Sequence, residues 1–230
     1  MLSTKDVNVS SGEGGGIPKV ISPGNHKLKI NNISLIQNNS YLKRNDAYHI
    51  LLSVETEPIE NFEGFWIDKN NESLGRHEGQ VGNVRASDWP YKDNVTNKGV
   101  EIKRDMQILK FIKNICKETD CEKWFDDADG KYETIEDFVQ GFNEEAPFAD
   151  KWLECCVAGS EYYKQNGYIG HNLWFAKYSQ GTKGFAKADA NEKVHVYNED
   201  LHLKKAEKPE EVEEFDNTTD DSADNTEFAW

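Results

Sequence analysis

Residues 25–37 read NHKLKINNISLIQ, and the rest of the chain is best read outward from them. His26, Leu28 and Ile30 fall on one side of an extended backbone, and Lys27 and Lys29 on the other. That period of two is what a half-buried strand requires. After Asn31-Asn32 the apolar phase slips by one residue, to Ile33 and Leu35. A single extra residue shifts every later side chain to the opposite face, so the slip predicts a β-bulge bending one long strand. Tyr48, Ile50, Leu52 and Val54 repeat the period in a second strand.

Downstream, GFWID and GQVGNVRASDWPY are glycine-punctuated and aromatic, as short strands joined by loops are. The period then changes. Ile108, Leu109, Phe111, Ile112, Ile115 and Cys116 recur at helical spacing and predict a helix over 105–117 with a wide apolar face. A second short helix is expected from Thr134, with Thr134 and Asp137 as an imperfect capping box and Ile135, Phe138, Val139 and Phe142 turned inward. Strands return in KWLECCVAGSEYY and YIGHNLWFAKY, joined through Gln165-Asn166-Gly167, whose Asn-Gly pair favours a tight hairpin.

Three β segments, a helical insertion and a β-hairpin give the element order of an OB-fold, a five-stranded Greek-key barrel with the insertion between strands 3 and 4. An SH3-like barrel or a sandwich shares that order. The expected organisation is a Gly- and Ser-rich flexible arm over 1–17, an OB-like domain over 18–205, and an acidic tail over 206–230. The tail has almost no aliphatic residues to bury, so its composition predicts disorder.

The net charge of −15 is unevenly spread. Residues 206–230 carry ten acids against one lysine, and residues 118–150 twelve against two, which leaves the rest of the chain at +4. That remainder permits phosphate binding. No stretch approaches the roughly 18 apolar residues of a membrane span, and no basic-then-apolar leader opens the chain, so a cytoplasmic protein is expected.

Aromatic and basic residues interleave along the β segments. Lys27 and Lys29 lie on the polar face of the first strand. Trp66 is followed by Lys69, Arg85 by Trp89, Tyr91 and Lys92, and Tyr163 by Lys164; Tyr168, Trp174, Lys177 and Tyr178 continue the pattern. Flat rings stack on bases and cations track a phosphate backbone, which together suit sequence-tolerant binding of single strands. For any one ring, burial in the core is the plainer alternative. Alternation sorts one case: with Leu173 and Phe175 inward, Trp174 points outward.

The tail ends in Phe228 and Trp230, with Asp220, Asp221, Asp224 and Glu227 just upstream. Aromatic rings at the end of a solvated polyanion suit a docking motif, a ring in a pocket with carboxylates against a basic rim.

On these features the chain resembles the single-stranded DNA-binding proteins of tailed phages, and its tail is similar in type to that of the bacterial ones. Residues 25–57, GFWIDK, GQVGNVRASDWPY and the 151–178 hairpin resemble a group of such proteins from phages of gut bacteria. The resemblance implies non-enzymatic binding of single-stranded DNA in replication, recombination or repair, within the cytoplasm of the infected host cell. It further implies a tail that recruits a polymerase, helicase or primase, with no cofactor and a possible homo-oligomer. The chain departs from the familiar ending in closing on Trp230 rather than phenylalanine.

Other chemistries have partial signatures. Asp93, Glu101 and Lys103 match the loose D…E-x-K pattern of Mg²⁺-dependent nucleases, although ordinary charges at a strand edge produce it as easily. Asp127, Asp129, Gly130 and Glu136 fall on EF-hand positions, but Phe125 stands where the first carboxylate belongs. Cys116, Cys121, Cys155 and Cys156 lack C-x-x-C spacing; reduced, partly buried thiols are expected, and a zinc site with His77 or His171 is the alternative. A virion or scaffold component with a solubilising tail is a third class.

Overall fold

The computed structural model describes residues 19–37, 47–67, 69–165, 168–176 and 197–207. The expected arm (1–17), Asn166-Gly167, Lys177, Tyr178 and the tail from residue 208 lie outside the described residues. The described chain is mainly β and is built around a closed five-stranded barrel. Its strands are β1 (Gly24–Gln37), β2 (Tyr48–Thr56), β3 (Val81–Arg85), β4 (Trp152–Tyr163) and β5 (Ile169–Phe175). Around the barrel they run β1-β2-β3-β5-β4 and back to β1.

The bulge read from the sequence is present. Ile30 pairs with Val54 and Asn32 with Ser53, so Asn31 is the extra residue. Leu28 and Ile30 before it and Ile33 after it are all buried. The bend lets one strand serve two neighbours: Gly24–Lys29 pair with β4, and Leu28–Gln37 with β2. All seams are antiparallel except the last, where β3 and β5 run parallel through Arg85 and Trp174.

Three helices separate β3 from β4: α1 (Arg104–Glu118), α2 (Glu122–Asp127) and α3 (Ile135–Glu145). The first and third match the sequence reading; α2 was not foreseen. Ile108, Ile112, Ile115 and Cys116 of α1 and Phe138, Val139 and Phe142 of α3 join Leu52, Val54, Leu153, Val157 and Phe175 in one core. The Thr134 hydroxyl accepts the Asp137 N–H at 3.1 Å, capping α3 as its sequence suggests. Asn143 ties α3 to the barrel by accepting the Ile33 N–H at 2.9 Å and donating to the Ile33 carbonyl at 2.7 Å.

GFWID does not supply a barrel strand. Phe65–Trp66 pair only with Arg76–His77, in a small ribbon within the β2–β3 connection. After residue 197 the chain forms α4 (Glu199–His202) and β6 (Leu203–Lys204), which lies parallel to β4 at Gly159 and Ser160. No helix among the described residues is long and apolar enough to cross a membrane.

Candidate nucleic-acid interface

Alternation along β2, β3 and β5 places residues inward and outward in turn. Ile50 and Val84 are buried, so His49 and Arg85 face out; Leu173 and Phe175 are buried, so Trp174 faces out as expected. These outward residues meet in a cleft of about 450 Å³ on the barrel's outer face. Its lining brings His49, Arg85, Asp88 and Trp89 together with Ser160, Asn172, Trp174 and Lys204.

The loop carrying Trp89 is pinned at both ends to β2. Ala86 donates its N–H to the Ile50 carbonyl at 2.9 Å, and Tyr48 and Tyr91 exchange backbone bonds at 2.9 and 2.7 Å. Between these anchors the Trp89 N–H reaches the Ser87 hydroxyl at 3.1 Å, and the indole is left 56% exposed. Tyr91 has the opposite fate. It packs against the core, and burial pushes its phenol up to about 12, so it is an anchor rather than a stacking ring.

Trp174 is outward but covered, only 9% exposed. It packs with Cys156, Ala158 and Ala176 under Tyr197, and the Lys204 ammonium lies 5.5 Å from a ring centroid of the indole. The cover comes from a segment more than twenty residues downstream, which strand alternation gives no means of anticipating. Truncating Trp174 opens a cavity worth about 3 kcal/mol and so tests packing as much as recognition.

The outer face of the β4–β5 hairpin continues the cleft. Ser160 pairs with Asn172, and two residues on Tyr162 pairs with Gly170. A Cβ on Gly170 would lie 2.6 Å from the Tyr162 ring and 2.8 Å from Lys164 Cε, so both side chains lie across this glycine. The Lys164 N–H donates to the Tyr168 carbonyl at 2.8 Å, and Tyr168 is 72% exposed at the tip. Tyr162, absent from the sequence reading, therefore shares the face of Ser160 and Trp174, whereas Tyr163 alternates to the other side.

The remaining sequence candidates lie outside the cleft lining. Lys27 is paired with Glu57 at 2.5 Å, and Lys29 lies between Asp150 at 3.1 Å and Glu55 at 3.6 Å. Asp150 and Glu55 raise the Lys29 pKa, Asp150 most, and so hold its ammonium charged within ion pairs. Trp66 stacks under the Arg76 guanidinium at 5.4 Å on the small ribbon, and Lys69 is exposed nearby in the chain. Lys92 is half-buried, its carbonyl accepting from Gln107 at 2.9 Å. His49 and Lys204 were missed. His49 was recoverable from the alternation of β2, but Lys204 was not.

Asp93, Glu101 and Lys103 do converge. The lysine stands 3.2 Å from Glu101 and 4.0 Å from Asp93, and Asp93 also accepts the Arg104 N–H at 2.7 Å at the start of α1. Both carboxylates are thus engaged by cations or by the helix end. Cys156 and His202 approach to 3.9 Å, but burial pushes the thiol up to about 11, and His202 Nδ1 accepts the Asn198 N–H at 2.9 Å. That arrangement disfavours a thiolate nucleophile. All four cysteines are free and buried, and among the described residues no three His, Cys, Asp or Glu side chains gather as a metal site. Comparison with family models, curated proteins and solved structures finds no match to this chain.

Proposed function

We propose that this chain binds single-stranded DNA without sequence preference and without bond-making chemistry, through an OB-like barrel acting in phage DNA replication, recombination or repair. The observation that carries the reading is the outward cleft, where Trp89, Arg85, Trp174 and Lys204 converge and Tyr162, Lys164 and Tyr168 extend the same face. Exposed rings offer stacking surfaces and the cations follow the phosphates, the combination that sequence-tolerant single-strand binding needs. The closed barrel with its helical insertion between the third and fourth strands is compatible with an OB-fold, whose outer strand face and 4–5 loop bind oligonucleotides. Under this reading the acidic tail, with Phe228 and Trp230 at its end, recruits replication proteins.

Titration with oligo-dT and with duplex DNA tests it. Single strands should bind and duplex should bind far more weakly, with a log–log salt slope of about −0.7 per phosphate neutralised. Trp89→Ala and Tyr162→Ala should each cost about 1–3 kcal/mol of affinity while leaving the fold intact. Binding that ignores salt and both substitutions would remove this face from consideration. A virion or scaffold component should ignore oligo-dT altogether.

The convergence of Asp93, Glu101 and Lys103 gives a second reading, a Mg²⁺-dependent nuclease, one specific observation. Incubating DNA with the chain and Mg²⁺ should leave the DNA intact. Cleavage lost on changing Glu101 and Lys103 to alanine would establish the nuclease instead.

A further inference from the structure

Between α1, α2 and α3 lies a groove of about 660 Å³ that shares no lining residue with the cleft. Its floor is apolar, built from Leu109, Phe125, Ile135 and Phe138. Phe125 and Tyr132 both meet Phe138 edge-to-face, at 5.6 and 5.5 Å, which fixes the floor while Leu109, Phe125 and Tyr132 stay half-open to solvent. The volume falls within the range of ligand pockets, about 300–1,000 Å³.

The rim is acidic. Asp105 is paired with Arg104 at 2.7 Å and Asp126 with Lys113 at 3.8 Å. Asp129 and Glu133 are exposed, and among the described residues neither is in an ion pair. The whole 118–150 stretch carries twelve acids against two lysines, a field that repels nucleic acid and attracts cations. Lys113 shows within the chain what this surface accepts. Its ammonium stands 5.3 Å from the centre of the Phe125 ring while it pairs with Asp126, a cation held by a ring face and a carboxylate together.

We propose that this groove docks a basic protein segment, one apolar or aromatic side chain seated on Phe125 and Leu109 and flanked by lysines or arginines that meet Asp129 and Glu133. The proposal goes beyond DNA binding: it gives the helical insertion a protein partner of opposite charge, held at the same time as a strand in the cleft.

The probe is a short synthetic lysine-rich peptide with one central tryptophan, titrated into the full chain and followed by fluorescence anisotropy and by NMR. Its binding should shift the resonances of Leu109, Phe125 and Phe138. Affinity should fall about tenfold when the peptide's tryptophan becomes serine, and about tenfold again in an Asp129→Asn, Glu133→Gln chain. Both substituted side chains are exposed, so folding is not at stake. Removing the same charge from the tail, Asp220→Asn with Asp221→Asn, should change affinity less than twofold. Saturating oligo-dT should leave the peptide bound.

Equal losses from rim and tail variants, or indifference to the peptide's tryptophan, would overturn the groove in favour of diffuse attraction to an acidic chain. Expulsion of the peptide by oligo-dT would overturn the independence of the two surfaces. A chain that takes the peptide but ignores oligo-dT would refute the DNA reading and leave the groove standing.

Discussion

His49 sits half-buried on β2, and both its burial and the neighbouring Arg85 guanidinium oppose a charge on its ring; burial is the larger cause, with Asp88 acting the other way. Its pKa is therefore below the ordinary imidazole value, and near pH 7 the ring is neutral. A phosphate in the cleft reverses that balance, because an anion beside Arg85 and His49 favours the imidazolium. Under the proposed function, proton uptake then accompanies DNA binding. Oligo-dT affinity should be flat above about pH 7 and rise as pH falls towards about 5, by about tenfold or more, the worth of one charge-assisted contact of about 1.5 kcal/mol. Folding runs the other way. A histidine whose pKa is lowered in the native state leaves more protons on the unfolded chain, so stability falls as pH drops below the ordinary value near 6.5. His26 and His202 are lowered too and add to that loss. The affinity measurements therefore belong at a temperature where the chain stays folded throughout. His49→Gln should remove the rise; a rise that survives it would place the proton elsewhere.

At the scale of elements, the one-residue slip at Asn31 was legible because a buried face of period two tolerates no ambiguity of phase. The Thr134 cap and the apolar stripe of α1 were legible for the same local reason. What failed to show was either too short or long-range. Six-residue α2 has too few turns to declare a period, and the cover over Trp174 comes from Tyr197 and Lys204, whose sequence neighbours carry no pattern. Tyr163 adjoins Lys164 in sequence, but the pairing of Tyr162 with Gly170 and of Tyr163 with Ile169 puts Tyr162 on the face of the cleft. Asn143 was equally hidden. A polar residue on an amphipathic helix reads as solvent-facing, yet here it satisfies both the N–H and the carbonyl of Ile33, a residue only 1% exposed. Asn143→Ala leaves those groups without partners at the bend of β1. The loss should be about 2 kcal/mol, or ~4–8 °C in Tm by thermal denaturation, with oligo-dT affinity unchanged at low temperature. A loss under about 0.5 kcal/mol, the size of an ordinary surface change, would mean that water replaces the amide without cost.

Across the whole molecule, acid is concentrated in two places and the cleft belongs to neither. The residues that precede the tail lie beside the cleft: Lys204, in β6, lines it, β6 is held at Gly159 and Ser160, and the Ala206 N–H donates to Glu161 at 3.2 Å. Under the proposed function, ten carboxylates tethered there should reach an effective concentration on the order of mM at Arg85 and Lys204. They should compete with DNA phosphates, and screening should weaken that competition over a Debye length of about 10 Å at 0.1 M salt. Deleting residues 208–230 keeps β6 and its contacts, and should raise oligo-dT affinity at low salt by a factor that shrinks towards one as salt is added. Trp230→Ala leaves every charge in place, so DNA affinity should hardly move, while capture of a replication polymerase, helicase or primase should drop. The two variants thus separate electrostatic competition from ring recognition. A deletion that weakens DNA binding at every salt concentration would make the tail part of the binding surface rather than its competitor. Partner capture indifferent to Trp230 would reduce the tail's end to one more solvated segment of a polyanion.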